Sequence, residues 1–258
     1  MERGIITGID KNQEWLLPWW WENYQKVVSF PVAFFDFGMS EVGIAFCKEK
    51  GIYIPLDEVS VSQEIDQVTQ EKFVEFSSGF PGEERNAWFK KPFAFLKTPF
   101  EKSIWIDLDC EILKPIDELF SYVDDFYQIA LTPSPEQDIV LARLLSRIET
   151  DEMTYNSGVV VFQKNAQVIQ KWWQYCHEHQ NEFVGDEIFL SKVLYECKVP
   201  VKELPFSFNC TVICKDEMAI SSVPDELQEI YFPHIRHYMT KLGKEFIRQK
   251  FFSTNLIP

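Results

Sequence analysis

Ser103-Ile104-Trp105-Ile106-Asp107-Leu108-Asp109-Cys110-Glu111-Ile112-Leu113 runs from an apolar strand straight into two carboxylates and back into apolar residues. A short apolar run of β-branched and aromatic residues reads as a strand covered on both faces. Two carboxylates at i and i+2 at the end of such a strand lie on the same side of an extended chain. A divalent cation can join them to a diphosphate, because Mg²⁺ and Mn²⁺ take oxygen ligands and often borrow them from phosphates. A bare Asp-x-Asp also occurs in solvated loops; the apolar flanks separate this one from that case.

Outward from this segment, strands and helices alternate. Toward the N-terminus, Gly4-Ile5-Ile6-Thr7-Gly8 predicts a strand and residues 10–26 a helix, with Pro18 in an early turn or at a kink. Pro31-Val32-Ala33-Phe34-Phe35 predicts a second strand, Ser40 caps a helix through Cys47, and Gly51-Ile52-Tyr53-Ile54 predicts a third strand. Residues 57–82 are polar and weakly periodic, and residues 84–97 read as a helix despite Pro92. Toward the C-terminus, strands are expected at 126–131, 158–162 and 230–232. Helices are expected at 136–147, 165–180, 186–195 and 244–251. The alternation predicts an α/β fold with a mostly parallel central sheet and helices on both faces. Ligands of such sheets bind beyond the carboxyl ends of the strands. No repeat or long linker interrupts residues 1–258, so one domain is expected.

The 258 residues carry 25 Lys and Arg against 40 Asp and Glu, a formal net charge of −15. That balance argues against a nucleic-acid partner, which needs a basic footprint, and against an anchor on anionic lipid. An anionic substrate would have to be held by a few local cations or by a metal. A hydrophobic share of 46% and a charged share of 25% exclude wholesale disorder. The apolar piece Trp15-Leu16-Leu17-Pro18-Trp19-Trp20-Trp21 is far shorter than the roughly 20 residues that span a bilayer, so no transmembrane segment is expected. The start has no signal-peptide pattern, and the expected location is cytoplasmic. Cys47, Cys110, Cys176, Cys197, Cys210 and Cys214 form no Cys-x-x-Cys pair and read as buried reduced thiols.

Ile104 to Phe120, with Asp107-Leu108-Asp109 followed by Lys114-Pro115-Ile116-Asp117-Glu118-Leu119-Phe120, resembles the DxD segment of GT-A glycosyltransferases. It is most similar to the glycogenin-like and lipopolysaccharide galactosyltransferase-like group. Further elements match in the family's order. Lys91 lies 16 positions before Asp107. Tyr155-Asn156-Ser157-Gly158-Val159 resembles an Asn-Ser-Gly strand, Gly185-Asp186-Glu187 a Gly-Asp-Gln element, Phe208-Asn209 an aromatic-Asn pair, and Pro233-His234-Ile235-Arg236-His237 a strand ending in a metal-binding His. The matches run from Gly4 to about Gly243.

The resemblance implies a nucleotide-diphospho-sugar transferase fold. It implies a metal-dependent enzyme that takes a sugar from a nucleotide-sugar donor, a UDP-sugar, with retention of anomeric configuration. Mn²⁺ (or Mg²⁺) would sit on Asp107, Asp109 and His237. Thr7, Asp10, Lys91, Asp107 and Lys241 would contact the donor, with Lys244 the alternative to Lys241. Asn156, Asp186 and Glu187 would face the reacting sugar, Asp186 nearest its carbon. Glu187 stands where the family often has Gln, and the segment from His237 to Lys244 lacks the family's closing Pro-Trp. No residue specifies the acceptor as sugar, lipid or protein.

The charge logic agrees with this implication. A nucleotide-sugar leaves as an anionic diphosphate, which a metal and aimed cations stabilise; a metallated site is locally cationic even in a chain of net charge −15. Gly185 permits a helix start, which sets Asp186 in the first turn, where the dipole favours a carboxylate. Glu187 would point about 100° away.

Rival readings fit less well. A haloacid-dehalogenase-type phosphatase expects Thr or Val where Glu111 stands, and a motif that opens the domain. A nucleotidyltransferase opens with a Gly-rich, Arg-containing loop that Gly4-Ile5-Ile6-Thr7-Gly8 does not provide. A non-catalytic sugar-nucleotide binder or interaction module need not keep Asp107, Asp109, Asn156, Asp186 and His237 together. Asp10 reads equally as a helix cap. Trp19, Trp20, Trp21 and Tyr24 read as packing rather than a sugar platform. In Cys176-His177-Glu178-His179, positions i and i+2 of a helix point apart, which is a poor metal site.

Overall fold

The computed structural model describes residues 1–56, 84–144, 148–179, 186–211, 233–238 and 241–254. The N-terminal third is a run of parallel units: β1 (Arg3–Asp10), α1 (Leu17–Val27), β2 (Val32–Gly38), α2 (Glu41–Lys50) and β3 (Ile52–Pro55). β1 runs two residues further than Gly8, because Ile9 and Asp10 still pair with β2. The helix expected from residue 10 therefore starts only at Leu17, behind a short 3₁₀ turn at Glu14–Leu16. Pro18 sits in its first turn, where its missing N–H costs nothing. Ser40 caps α2 through a bond from Gly43 N, as its position predicts.

The chain continues through α3 (Glu84–Leu96), β4 (Lys102–Ile106), β5 (Cys110–Ile112), β6 (Ile129–Pro133), α4 (Glu136–Leu144), β7 (Tyr155–Gln163), α5 (Gln167–His179), α6 (Asp186–Glu196), β8 (Val201–Glu203), β9 (Cys210–Thr211), β10 (Ile235–His237) and α7 (Lys241–Thr254). β6 begins at Ile129 rather than 126, because the Asp124 carboxylate accepts from Phe126 N and Tyr127 N and holds them in a turn. The strand expected at 230–232 lies outside the described residues.

Seven strands form the main sheet in the order β3-β2-β1-β4-β7-β6-β8. Six share one direction, and β7 alone runs against its neighbours β4 and β6. Val159, Val160, Val161 and Phe162 of β7 are fully buried, as their unbroken apolar run requires; each such side chain contributes roughly 1.5–3 kcal/mol of burial. One face of the sheet is covered by α3, α5 and α6 through Phe95, Trp172 and Phe189. The other is covered by α1, α2 and β5 through Trp20, Cys47 and Cys110. Trp20 stacks on Tyr24 in this core, which is the packing role the aromatic run predicts. Cys197 departs from the expectation of buried thiols: it lies just past the end of α6 and is exposed, whereas Cys214 lies outside the described residues.

A second sheet of three strands, β5-β10-β9, is built beside the main one. β10 pairs antiparallel with β5 and parallel with β9, so His237 lies opposite Cys110 and Thr211. This small sheet was not expected from the alternation, because its strands are two or three residues long and far apart in sequence.

Candidate active site

The site begins where β4 ends. The strand stops at Ile106, and Asp107-Leu108-Asp109 forms a turn closed by Cys110 N on Asp107 O at 3.1 Å. The two carboxylates therefore do not converge by strand pleat, as the i, i+2 spacing suggested. They converge because the turn folds the chain back into β5. Asp107 N donates to Gly158 O at 2.9 Å, tying the turn to β7. The reversed direction of β7 makes this possible: Ile106 at the end of β4 pairs with Val159, so the residues that begin β7 lie just beyond it, beside Asp107.

His237 completes the convergence. Its Nε2 lies 3.2 Å from Asp109 Oδ1 and 3.8 Å from Asp107 Oδ2. Among the described residues, the group with one potential ligand atom each within 4.8 Å of one another is Asp109, Cys110 and His237, with Asp107 next to it through His237. Burial and the two carboxylates push the Cys110 thiol well up in the metal-free site. The two carboxylate oxygens and the imidazole nitrogen are a set that fits Mn²⁺ better than the all-oxygen preference of Mg²⁺. Burial raises the Asp109 carboxyl, but His237 and Lys244 overcome that and hold it at about 2. Burial opposes charging of His237, and the Asp109 carboxylate outweighs it, so the imidazole titrates above its usual range.

Lys91 projects from α3, where Pro92 is tolerated inside the helix. Its ammonium lies 3.1 Å from Asp107 Oδ1, 3.0 Å from Ser157 Oγ and 3.9 Å from Asp186 Oδ2, with the Trp105 ring 5.1 Å away. Trp105 Nε1 also donates to Asp107 Oδ1 at 2.6 Å. Burial works against the Lys91 charge, but Asp107 and Asp186 raise its pKa overall, so it is a fixed cation.

Asp186 and Glu187 begin α6, while Gly185 lies outside the described residues. The 100° separation does not send Glu187 away from the site. Both carboxylates meet Ser157, whose Oγ donates to Asp186 Oδ2 at 3.3 Å and whose N donates to Glu187 Oε1 at 2.7 Å. Burial pushes Asp186 up to about 6, with Lys91 pulling it back. Burial and the Asp186 charge push Glu187 up to about 7. The helix-dipole argument for a readily ionised Asp186 is thus outweighed by desolvation.

These groups line one cleft of about 280 Å³ that also contains Gln13, Trp88, Asn156, Ile188 and Lys244. Lys244 reaches Asp109 Oδ2 at 3.5 Å. The side chain of Lys241 lies outside the described part of the structure. Thr7 is fully buried in β1, and Asp10 is buried at its end, where Oδ1 accepts from Gln13 N at 2.9 Å; neither lines the cleft, although Gly8 and Gln13 beside them do. Ser157 and Trp105 are the contributors that residue-by-residue reading missed. The signal for Ser157 was its place between Asn156 and Gly158; Trp105 carried no signal beyond its strand.

No family model matches the sequence, and no curated protein matches it. Solved structures do match. The galactosyltransferase LgtC, in complex with donor and acceptor sugar analogs, aligns over 99% of this chain and 97% of its own, with a TM-score of 0.63 at 11% identity. Mouse xyloside xylosyltransferase 1 aligns over 92% and 97%, with a TM-score of 0.55 at 15% identity. The bifunctional glycosyltransferase WbbM matches with a TM-score of 0.61 at 11% identity, over 96% of this chain but 49% of its own length. The chain therefore has the GT-A, nucleotide-diphospho-sugar transferase fold of these glycosyltransferases.

Proposed function

We propose that this chain is a metal-dependent glycosyltransferase that moves a sugar from a nucleotide-sugar, a UDP-sugar, to an acceptor hydroxyl with retention of configuration. Fold alone does not carry activity. The supporting observation is the convergence of Asp107, Asp109 and His237 beside Lys91 and Lys244 in one cleft, on a fold shared with glycosyltransferases. Asp107, Asp109 and His237 would hold Mn²⁺, or Mg²⁺, and the bound ion would neutralise charge on the leaving diphosphate. Lys244, whose ammonium is only partly buried, would meet the diphosphate at the cleft mouth. Lys91 bridges Asp107 and Asp186 and donates to Ser157 Oγ, which offsets the repulsion between the two carboxylates.

In the transfer, the bond from the sugar's anomeric carbon to the diphosphate oxygen breaks, the acceptor oxygen bonds to that carbon on the face the diphosphate leaves, and the acceptor's proton passes to the departing diphosphate oxygen. Positive charge develops on the carbon only in the transition state, so an ionised Asp186 beside it stabilises that state selectively. Trp88 and Ile188 add apolar surface to the lining of the cleft.

A thermal-shift measurement tests the metal and donor together, because a ligand of the native state raises apparent stability by mass action. UDP should raise the melting temperature in Mn²⁺ and do little in EDTA, and Asp109→Asn should abolish the difference. Equal shifts with and without metal would overturn the metal assignment. Binding without turnover of any UDP-sugar, even to water, would favour a non-catalytic sugar-nucleotide binder.

A further inference from the structure

His237 is held from behind by Gly158, Asn156 and Asn209. One edge of its ring lies against Gly158: a Cβ at that position would come within 2.2 Å of Cε1 and 2.5 Å of Nδ1. Behind the ring, two amides run in series. Asn156 Oδ1 accepts from Gly158 N at 2.9 Å and from Asn209 Nδ2 at 2.6 Å. The backbone N–H cannot be reversed, so it fixes which end of the Asn156 amide faces inward. An oxygen there demands a donor, so Asn209 must present its nitrogen. Its oxygen is then left facing His237 Nδ1 at 3.0 Å. An amide oxygen only accepts, so Nδ1 must carry the hydrogen. Asn156, Asn209 and His237 are 7%, 1% and 4% exposed, which removes water as an alternative partner from most of this chain of bonds.

We infer that Asn209 is a positioning residue: with Asn156 it fixes a hydrogen of His237 on Nδ1, and so holds Nε2 as the nitrogen turned toward Asp107 and Asp109. Neutral imidazole left to itself prefers the opposite form, with hydrogen on Nε2. In that form His237 would aim a donor at the carboxylates and could not share a cation with them. A ligating histidine that gives its other N–H to a fixed acceptor is more basic and correctly oriented, and loss of such a partner costs about 10- to 100-fold in metal affinity. The inference rests on the metal reading proposed above only for its purpose, not for its geometry. Gly158 joins the two halves of the device: its N–H orders the amides, and its missing side chain leaves room for the ring they orient.

Proton NMR of the histidine rings in the metal-free protein tests this, because a hydrogen held on a buried acceptor exchanges slowly with water. The wild type should show an exchange-protected Nδ1 hydrogen for His237. Asn209→Leu should lose that protection and lower Mn²⁺ affinity by about 10- to 100-fold. Asn209→Asp keeps an acceptor for Nδ1 and should keep the protected hydrogen. If Asn209→Leu does not fold, Asn156→Ala reads the same series one residue earlier and should weaken the protection. An unprotected Nδ1 hydrogen in the wild type, or an unchanged one in folded Asn209→Leu, would overturn the inference. Because the hydrogen is read without metal, a wild type with a protected Nδ1 hydrogen that fails to bind Mn²⁺ overturns the metal reading and leaves the positioning role standing.

Discussion

Asp186 and Glu187 show how one residue's environment sets its task. Their ordinary values are 3.8 and 4.5, and burial moves them to about 6 and about 7. Between pH 4 and pH 7 the folded chain therefore binds more protons than the unfolded one, and stability falls as pH rises through that window. An amide at either position removes this penalty. Without added metal, Asp186→Asn and Glu187→Gln should each melt higher than wild type at pH 8, by about 1–3 kcal/mol of stability, and the gap should close near pH 4. Equal melting at pH 8 would show that the carboxylates are not strained by burial. The same Asp186→Asn should lower kcat on the order of 10²-fold, with UDP binding nearly intact; Glu187→Gln should fall less, since Gln still accepts from Ser157 N. Stability gained as turnover is lost is the usual sign of a functional residue. Retained activity in Asp186→Asn, with loss in Glu187→Gln, would move the catalytic role one residue along.

Elements decide which side chains meet. Adjacent lysines on α3 have opposite fates: Lys91 enters the cleft, while Lys90 donates to Phe37 O at 2.9 Å. Lys91→Ala should weaken nucleotide-sugar binding by about 1.5–3 kcal/mol, as for a bond to a charged group, and Lys90→Ala by much less. Titration calorimetry giving the same affinity for both would remove Lys91 from the donor site. On β7, Gly158 is one contact between the main sheet and the small one. Gly158→Ala would drive the His237 ring off Asn209 or away from the carboxylates, since the new methyl falls inside the ring's own space. Mn²⁺ affinity should drop at least about tenfold, with far-UV circular dichroism unchanged because β7 keeps its ladder. Unaltered metal binding would mean the ring has freedom that the packing denies.

At the scale of the whole molecule, the sequence by itself determined the α/β class, because unbroken apolar runs such as Val159 to Phe162 must be covered on both faces. It determined most helices and strands, because hydrophobic period and caps such as Ser40 are local. It also pointed to Asp107, Asp109, Lys91, Asp186 and His237 as one set, through motif order. Only the tertiary structure decided how they meet. The reversal of β7 brings Asn156, Ser157 and Gly158 to the end of β4, and strand direction leaves no trace in an apolar run. The three-stranded sheet that carries His237 joins segments more than a hundred residues apart, so no local pattern announces it. The turn at Asp107-Leu108-Asp109, the shared grip of Asp186 and Glu187 on Ser157, and the amide series behind His237 all arise the same way. Each is fixed by hydrogen bonds between elements, and their partners are chosen by packing in three dimensions rather than by neighbours along the chain.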